Sequence, residues 1–141
     1  MTDTGLKLIS TALLSNKSIQ YLNMSQNKIK EEGFNEFVEL MKVNTTITEL
    51  SFGGNIISNE GLAILSQFLE FNTTLRHLDL SRNAFNDSGF DTFAEALAYN
   101  EGIDFLDIAK NKDVTDEGSL ITLCEALTIN KRLKTLDVTG I

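Results

Sequence analysis

Three aspartates, Asp79, Asp107 and Asp137, each follow a leucine and precede an aliphatic residue, and they recur at intervals of 28 and 30 residues. Carboxylates in that pattern could hold a cation, exchange protons, or receive basic side chains. A hard cation asks for six or more oxygens from several directions. A single row on one surface does not offer them, so no metal site is expected. Proton exchange would fall to His77, the one histidine, two places before Asp79. A positioned histidine can act as acid or base, yet no serine, cysteine or second histidine completes a nucleophilic set around it. No catalytic residue and no cofactor is expected, and His77 reads as an exposed polar residue. The glycines of "SFGGN", residues 51–55, are followed by no lysine and match no phosphate-cradling pattern. Gly53 and Gly54 read instead as a bare patch that another backbone could approach. What remains for the acidic row is to receive lysines or arginines of another protein.

The elements that place these residues follow from an internal period. Asn27, Asn55, Asn83 and Asn111 recur every 28 residues, as do Asn16, Asn44, Asn72 and Asn100, with Asn130 two places late. Gly5, Gly33, Gly61 and Gly89 keep the same interval, and Gly118 comes one late. Each unit has two halves. The first alternates, as Leu78 and Leu80 do, which predicts a short strand with one buried face. The second spaces its apolar residues like Leu62, Leu65, Phe68 and Leu69, or Phe90, Phe93, Ala96 and Leu97, which is one face of a helix. Acids stand just before each glycine: Asp3, Glu31, Glu32, Glu60, Asp87, Asp116 and Glu117. Negative charge there suits the positive end of the helix dipole.

The two asparagine sets then have separate structural duties. Asn72 and its equivalents lie just past a helix, where asparagine tolerates a left-handed turn. Asn27, Asn55, Asn83 and Asn111 lie just past a strand, where the side-chain amide can bond the turn of its own and the next repeat. The fourth unit carries two extra residues between Asn111 and Leu120, which predicts a bulged loop. Cys124, one place after Leu123, matches Ser10, Val38, Ser66 and Ala94 of the other units and reads as a small, half-buried spacer.

The bulk properties bound the setting. The chain has 141 residues, room for one compact domain, and a formal charge of −8. That charge argues against nucleic acid and against anionic lipid as partners, and leaves open a protein with a basic patch. No apolar run is long enough to cross a membrane, and residues 1–20 lack a secretory start. A single cysteine excludes an internal disulfide framework. Asn16, Asn23, Asn44, Asn72 and Asn86 open N-x-S/T triplets. Without a secretory start they read as backbone-serving residues of a cytoplasmic protein.

The units read I-x-x-L-x-M-x-x-N at 19–27, I-x-x-L-x-F-x-x-N at 47–55, L-x-x-L-x-L-x-x-N at 75–83 and I-x-x-L-x-I-x-x-N at 103–111, and a fifth begins at Leu133. With the helical second half, this resembles the leucine-rich repeat of the ribonuclease-inhibitor type. The resemblance implies an α/β horseshoe solenoid of about five repeats, with a parallel sheet on the concave side and helices on the convex side. Residues 1–141 form a single domain in this reading. The chain starts and stops within a repeat, and its last strand (Leu133, Leu136, Val138) is apolar with an open edge. It is expected to be a block of a longer array, or to meet a neighbour end to end through its uncapped repeats.

In that fold the residues between the buried leucines face the concave side. One column is Tyr21, Glu49, His77, Phe105 and Thr135; the next is Asn23, Ser51, Asp79, Asp107 and Asp137. The aspartates should then stack about 4.8 Å apart and repel unless Arg82, Lys110, Lys134 or a partner's cations neutralise them. Tyr21 and Phe105 are aromatic anchors on a polar face. The expectation is a non-enzymatic protein-binding module with Tyr21, Glu49, His77, Asp79, Arg82, Phe105, Asp107, Lys110 and Asp137 as contacts. A regulator in the Ran GTPase-activating style uses the same repeat type and would use Arg82. The "L-x-x-N-T-T-L-x-x-L" wording at 69–78 is similar to the repeat domain of tropomodulin-like actin-end binders, which implies a cytoskeletal part.

Overall fold

The computed structural model describes all of residues 1–141. Helix and strand alternate throughout: α1 (Asp3–Leu13), β1 (Tyr21–Asn23), α2 (Glu31–Met41), β2 (Glu49–Ser51), α3 (Asn59–Leu69), β3 (His77–Asp79), α4 (Asp87–Tyr99), β4 (Phe105–Asp107), α5 (Glu117–Ile129) and β5 (Thr135–Asp137). The strands form one parallel sheet in sequence order, and each residue pairs with its equivalent in the next repeat, as Leu50 does with Leu78 and Leu78 with Leu106. The helices pack side by side in the same order. This is a leucine-rich-repeat horseshoe with the sheet lining the concave side.

The core lies between sheet and helices. Phe34, Phe37, Phe52, Phe85, Phe90 and Phe93 are fully buried there. Phe52 receives Phe34 and Phe37 edge-on, with ring centroids 5.0 and 5.1 Å away, an arrangement that adds to simple burial. All eight apolar residues named from the helical spacing of α3 and α4 are buried.

Asn55, Asn83 and Asn111 form the amide ladder, and its reach is backward rather than into the next repeat. The Asn55 amide donates to the carbonyls of Phe52 in its own repeat and Met24 in the one before, at 3.0 and 2.9 Å. Asn111 does the same with Ile108 and Leu80, while its Oδ1 accepts from the Asn83 N–H at 2.7 Å. Asn27, in the first repeat, bonds Met24 and Ser25. The left-handed residue is the one before each ladder asparagine: Gln26, Arg82 and Lys110 have φ of 56°, 53° and 61°, and Gly54 and Gly140 fill the same place.

Asn72 and its equivalents are therefore not left-handed. Their Oδ1 atoms accept from the N–H groups two and three places on, as Asn72 does from Thr74 and Leu75, and Asn100 from Gly102 and Ile103. This is a side-chain-closed turn. In Asn44, Asn100 and Asn130 the amide also donates to a helix-end carbonyl of the previous repeat, namely Leu13, Leu69 and Leu97.

The helix-start residues do more than complement a dipole. Asp3 accepts from the N–H of Lys30, Asn59 from that of Asn86, and Asp87 from those of Thr115 and Asp116. Each ties the segment ahead of the next helix. The bond to Asp116 is the leading cause that holds the Asp87 carboxyl below the usual range. The two extra residues bulge between Asn111 and α5: Val114 is still buried, as Ile57 and Phe85 are, but stands one place further from its asparagine.

Candidate protein-binding surface

The outward residues of the five strands lie in register. Tyr21, Glu49, His77, Phe105 and Thr135 are direct neighbours in that order. His77 is gripped from both sides: Glu49 Oε2 is 3.6 Å from its Nδ1, and the Phe105 ring centroid is 5.6 Å from its own. Tyr21 is 57% exposed, and its hydroxyl accepts from the Asn23 amide at 3.0 Å. Tyr21, Glu49, His77, Asp79, Phe105 and Asp107 line one open hollow of about 400 Å³.

The second column is a row of turn-closing acceptors. Asn23, Asp79, Asp107 and Asp137 each accept the N–H two residues on, all at 2.9 Å. Asp79 has further donors: the Ser51 hydroxyl, and the Ser81 hydroxyl at 2.7 Å. Ser51 is joined in turn to Ser25 at 2.6 Å. Asp137 has Thr139, whose hydroxyl and N–H lower its proton affinity. Asp107 has neither, because Ala109 stands where the others have Ser81 and Thr139. Burial, with Asp79 and Asp137 on either side, pushes the Asp107 carboxyl above its ordinary range despite the Ala109 N–H and nearby Arg82. It is the one under-served carboxylate of the row.

Lys134 does not neutralise this row. It lies 3.3 Å from Asp104, which Arg132 also meets at 3.0 Å. Despite desolvation, the two cations hold the Asp104 carboxyl low. The Gly53–Gly54 stretch is not bare either. A Cβ on Gly53 would stand 2.8 Å from both Asp79 carboxylate oxygens and from Ser81 Oγ, so the next repeat already fills the space. Gly54 serves the left-handed turn, with φ of 70°.

Arg82 and Lys110 stand apart from the hollow. With Asn83, Lys112 and Asp113 they line a second, open recess of about 590 Å³. Neither Arg82, Lys110 nor Lys112 makes an ion pair within the chain. Asp137 belongs to neither hollow. Lys112 was not among the sequence-derived contacts, and its signal was the two-residue insertion that carries it. Cys124 is exposed rather than half-buried. Its equivalents are sealed by the following repeat, and α5 has none beyond it. Leu120 and Leu127 of the same face are 40% and 36% exposed.

A leucine-rich-repeat family model matches residues 15–34, 43–66 and 71–94. Together with the five-stranded parallel solenoid, that makes the chain a leucine-rich-repeat protein. No curated protein matches it in sequence. Among solved structures it is similar to leiomodin-1 actin-binding site 2, with a TM-score of 0.84 at 18% identity, over 96% of this chain and 78% of that one. It is also similar to the tropomodulin C-terminal domain of Caenorhabditis elegans, with a TM-score of 0.81 at 14% identity, over 97% of this chain and 82% of that one. At these identities the likeness is one of fold. No helix is long and apolar enough to cross a membrane.

Proposed function

We propose that the chain is a non-enzymatic cytoplasmic module that binds a protein partner on its concave face. The contacts are Tyr21, Glu49, His77, Asp79 and Phe105 around the hollow, Asp107 and Asp137 along the acidic row, and Arg82 and Lys110 at the recess. Asp107 carries the reading. A half-buried carboxylate between two others, with a single N–H to accept from, is stabilised by a cation brought from outside. Arg82 and Lys110 agree with it. Both hold a left-handed conformation that favours glycine, and Gly54 and Gly140 occupy the same place in other repeats. Long cations kept at a strained position fit use in contact. The apolar face of α5 is the seat for the end-to-end contact expected of an array.

A cytoskeletal reading has its own support, since leiomodin-1 actin-binding site 2 is among the structures similar in fold and a tropomodulin domain is another. The test uses purified actin, with wild type beside the F105A/D107K variant. Growth of filaments from seeds and co-sedimentation are both read. Wild-type protein that alters growth, with the effect lost in the variant, supports actin and the concave face together. An effect retained in the variant overturns the concave contact. No effect of either protein removes actin, and capture of a basic partner by wild type alone then sustains the module.

A further inference from the structure

Asn44 and Asn100, which close the turns after α2 and α4, are 2% and 3% exposed. The residue just before each is turned outward. At that place successive repeats carry Val43, Phe71, Tyr99 and, after the insertion, Ile129. They are 61%, 84%, 72% and 45% exposed, and Phe71 and Tyr99 are the two most exposed large apolar side chains of the molecule. A lone exposed apolar residue needs no explanation. Four in repeat register do, because water contact at each is unfavourable and the core gains nothing from them. Clefts flank the row: one of about 240 Å³ holds Lys42, Phe68 and Phe71, and another of about 440 Å³ holds Tyr99, Ile129 and Lys131. None of the four lies in a strand, so this surface is separate from the concave face.

We propose that the row Val43–Phe71–Tyr99–Ile129 docks an amphipathic α-helix of a partner protein, laid across the ends of α2 to α5. Packed helices lie about 8–10 Å apart, and seven residues of helix rise about 10.5 Å. A crossing helix with an apolar residue at every seventh place meets each side chain of the row in turn. Four rows span roughly 30 Å, the length of a helix of about 20 residues. The row is one side chain wide and offers a few hundred Å², short of the roughly 800 Å² per partner of a standard interface. A second copy is therefore a poor fit. Its border is basic at both ends and acidic in the middle, with Lys42, Glu70, Glu101 and Lys131 all exposed in that order. An anionic lipid surface calls for a basic border. A helix with acids near its ends and bases in its middle complements this one.

The test is a display library of helical peptides of about 20 residues, with randomised faces, selected on wild-type protein. The selected peptides are titrated against F71E/Y99E, and unchanged thermal unfolding shows that this variant keeps its fold. Expected are helices with apolar residues seven apart, whose affinity falls on the order of tenfold or more in F71E/Y99E and is unmoved in F105A/D107K. Failure to enrich any helix, or equal affinity for F71E/Y99E, overturns the proposal. So does concentration-dependent self-association abolished in F71E/Y99E, which would give the row to a second copy. Binding to anionic vesicles abolished in F71E/Y99E would give it to a lipid surface and overturn it equally.

Discussion

Phe90 and Leu120 hold the same place in successive repeats, yet Phe90 is sealed and Leu120 is 40% exposed. The same holds for Ala94 against Cys124 and for Leu97 against Leu127. The difference lies in what packs beyond them, since α5 covers the far side of α4 and no element of residues 1–141 covers that of α5. In a solenoid the worth of a side chain is set by the interface to the next unit as much as by its own type. The sharpest way to break this comparison is to truncate both members. Phe90→Ala should cost about 3–5 kcal/mol, as a large aromatic lost from a closed core does. Leu120→Ala should cost under about 1 kcal/mol. Denaturant unfolding of the two variants reads both. Equal losses would mean that the face of α5 is as well packed as that of α4.

The polar ladder gives the same contrast at smaller size. Asn111 is fully buried and serves Leu80, Ile108 and Asn83. Asn111→Ala takes the side-chain partner from the Ile108 carbonyl and from the Asn83 N–H, leaves the Leu80 carbonyl to the Asn83 amide alone, and should cost about 3 kcal/mol. Asn27 bonds only its own turn and the chain's first amine, so Asn27→Ala should cost about 1 kcal/mol or less. Comparison of the two midpoints in urea checks the ratio. An Asn27 loss as large as that of Asn111 would contradict a ladder whose strength comes from reaching back across a repeat.

The period, the strand and helix halves and the outward columns were legible because each depends on spacing within a unit, and the register of β1 to β5 repeats that spacing unchanged. What escaped depends on contact between units. Gly53 looks bare in its own repeat, and only Asp79 and Ser81 of the next one fill the place of its side chain. Lys134 looks like a counter-ion for the aspartates until Asp104, in the preceding repeat, claims it. Asn72 stands at the turn its spacing implies but closes it with its side chain and not with a left-handed backbone, and both kinds of turn favour asparagine. The row through Phe71 and Tyr99 fell between the two periods that were read: it belongs to neither the strand alternation nor the helix stripe.

Asp107 and Asp137 offer the finest contrast, with neighbouring strands, the same turn bond and opposite shifts. Asn23 shows that an amide serves the turn as well as a carboxylate, accepting the Ser25 N–H at the same 2.9 Å. Asp107→Asn therefore keeps the bond and removes the charge. The folded Asp107 binds its proton more readily than the unfolded chain does, so the native state is penalised wherever the carboxylate is ionised. Stability from this residue falls as pH rises from the unfolded value through the folded one, and the penalty is complete near neutrality. The variant should gain stability there, by about 0.5 kcal/mol at most once solvent screening of a part-exposed group is allowed for. The gain should vanish below the ordinary aspartate range, near pH 3, where both states are protonated. Asp137→Asn should do the reverse, because Thr139 stabilises its ionised form: it loses stability near neutrality, and the loss fades as pH falls through the lowered folded value. Thermal unfolding of both variants at the two pH values tests the signs. A gain for Asp137→Asn, or a loss for Asp107→Asn, would mean that burial at Asp107 and the Thr139 hydroxyl at Asp137 are not what set the two carboxylates apart.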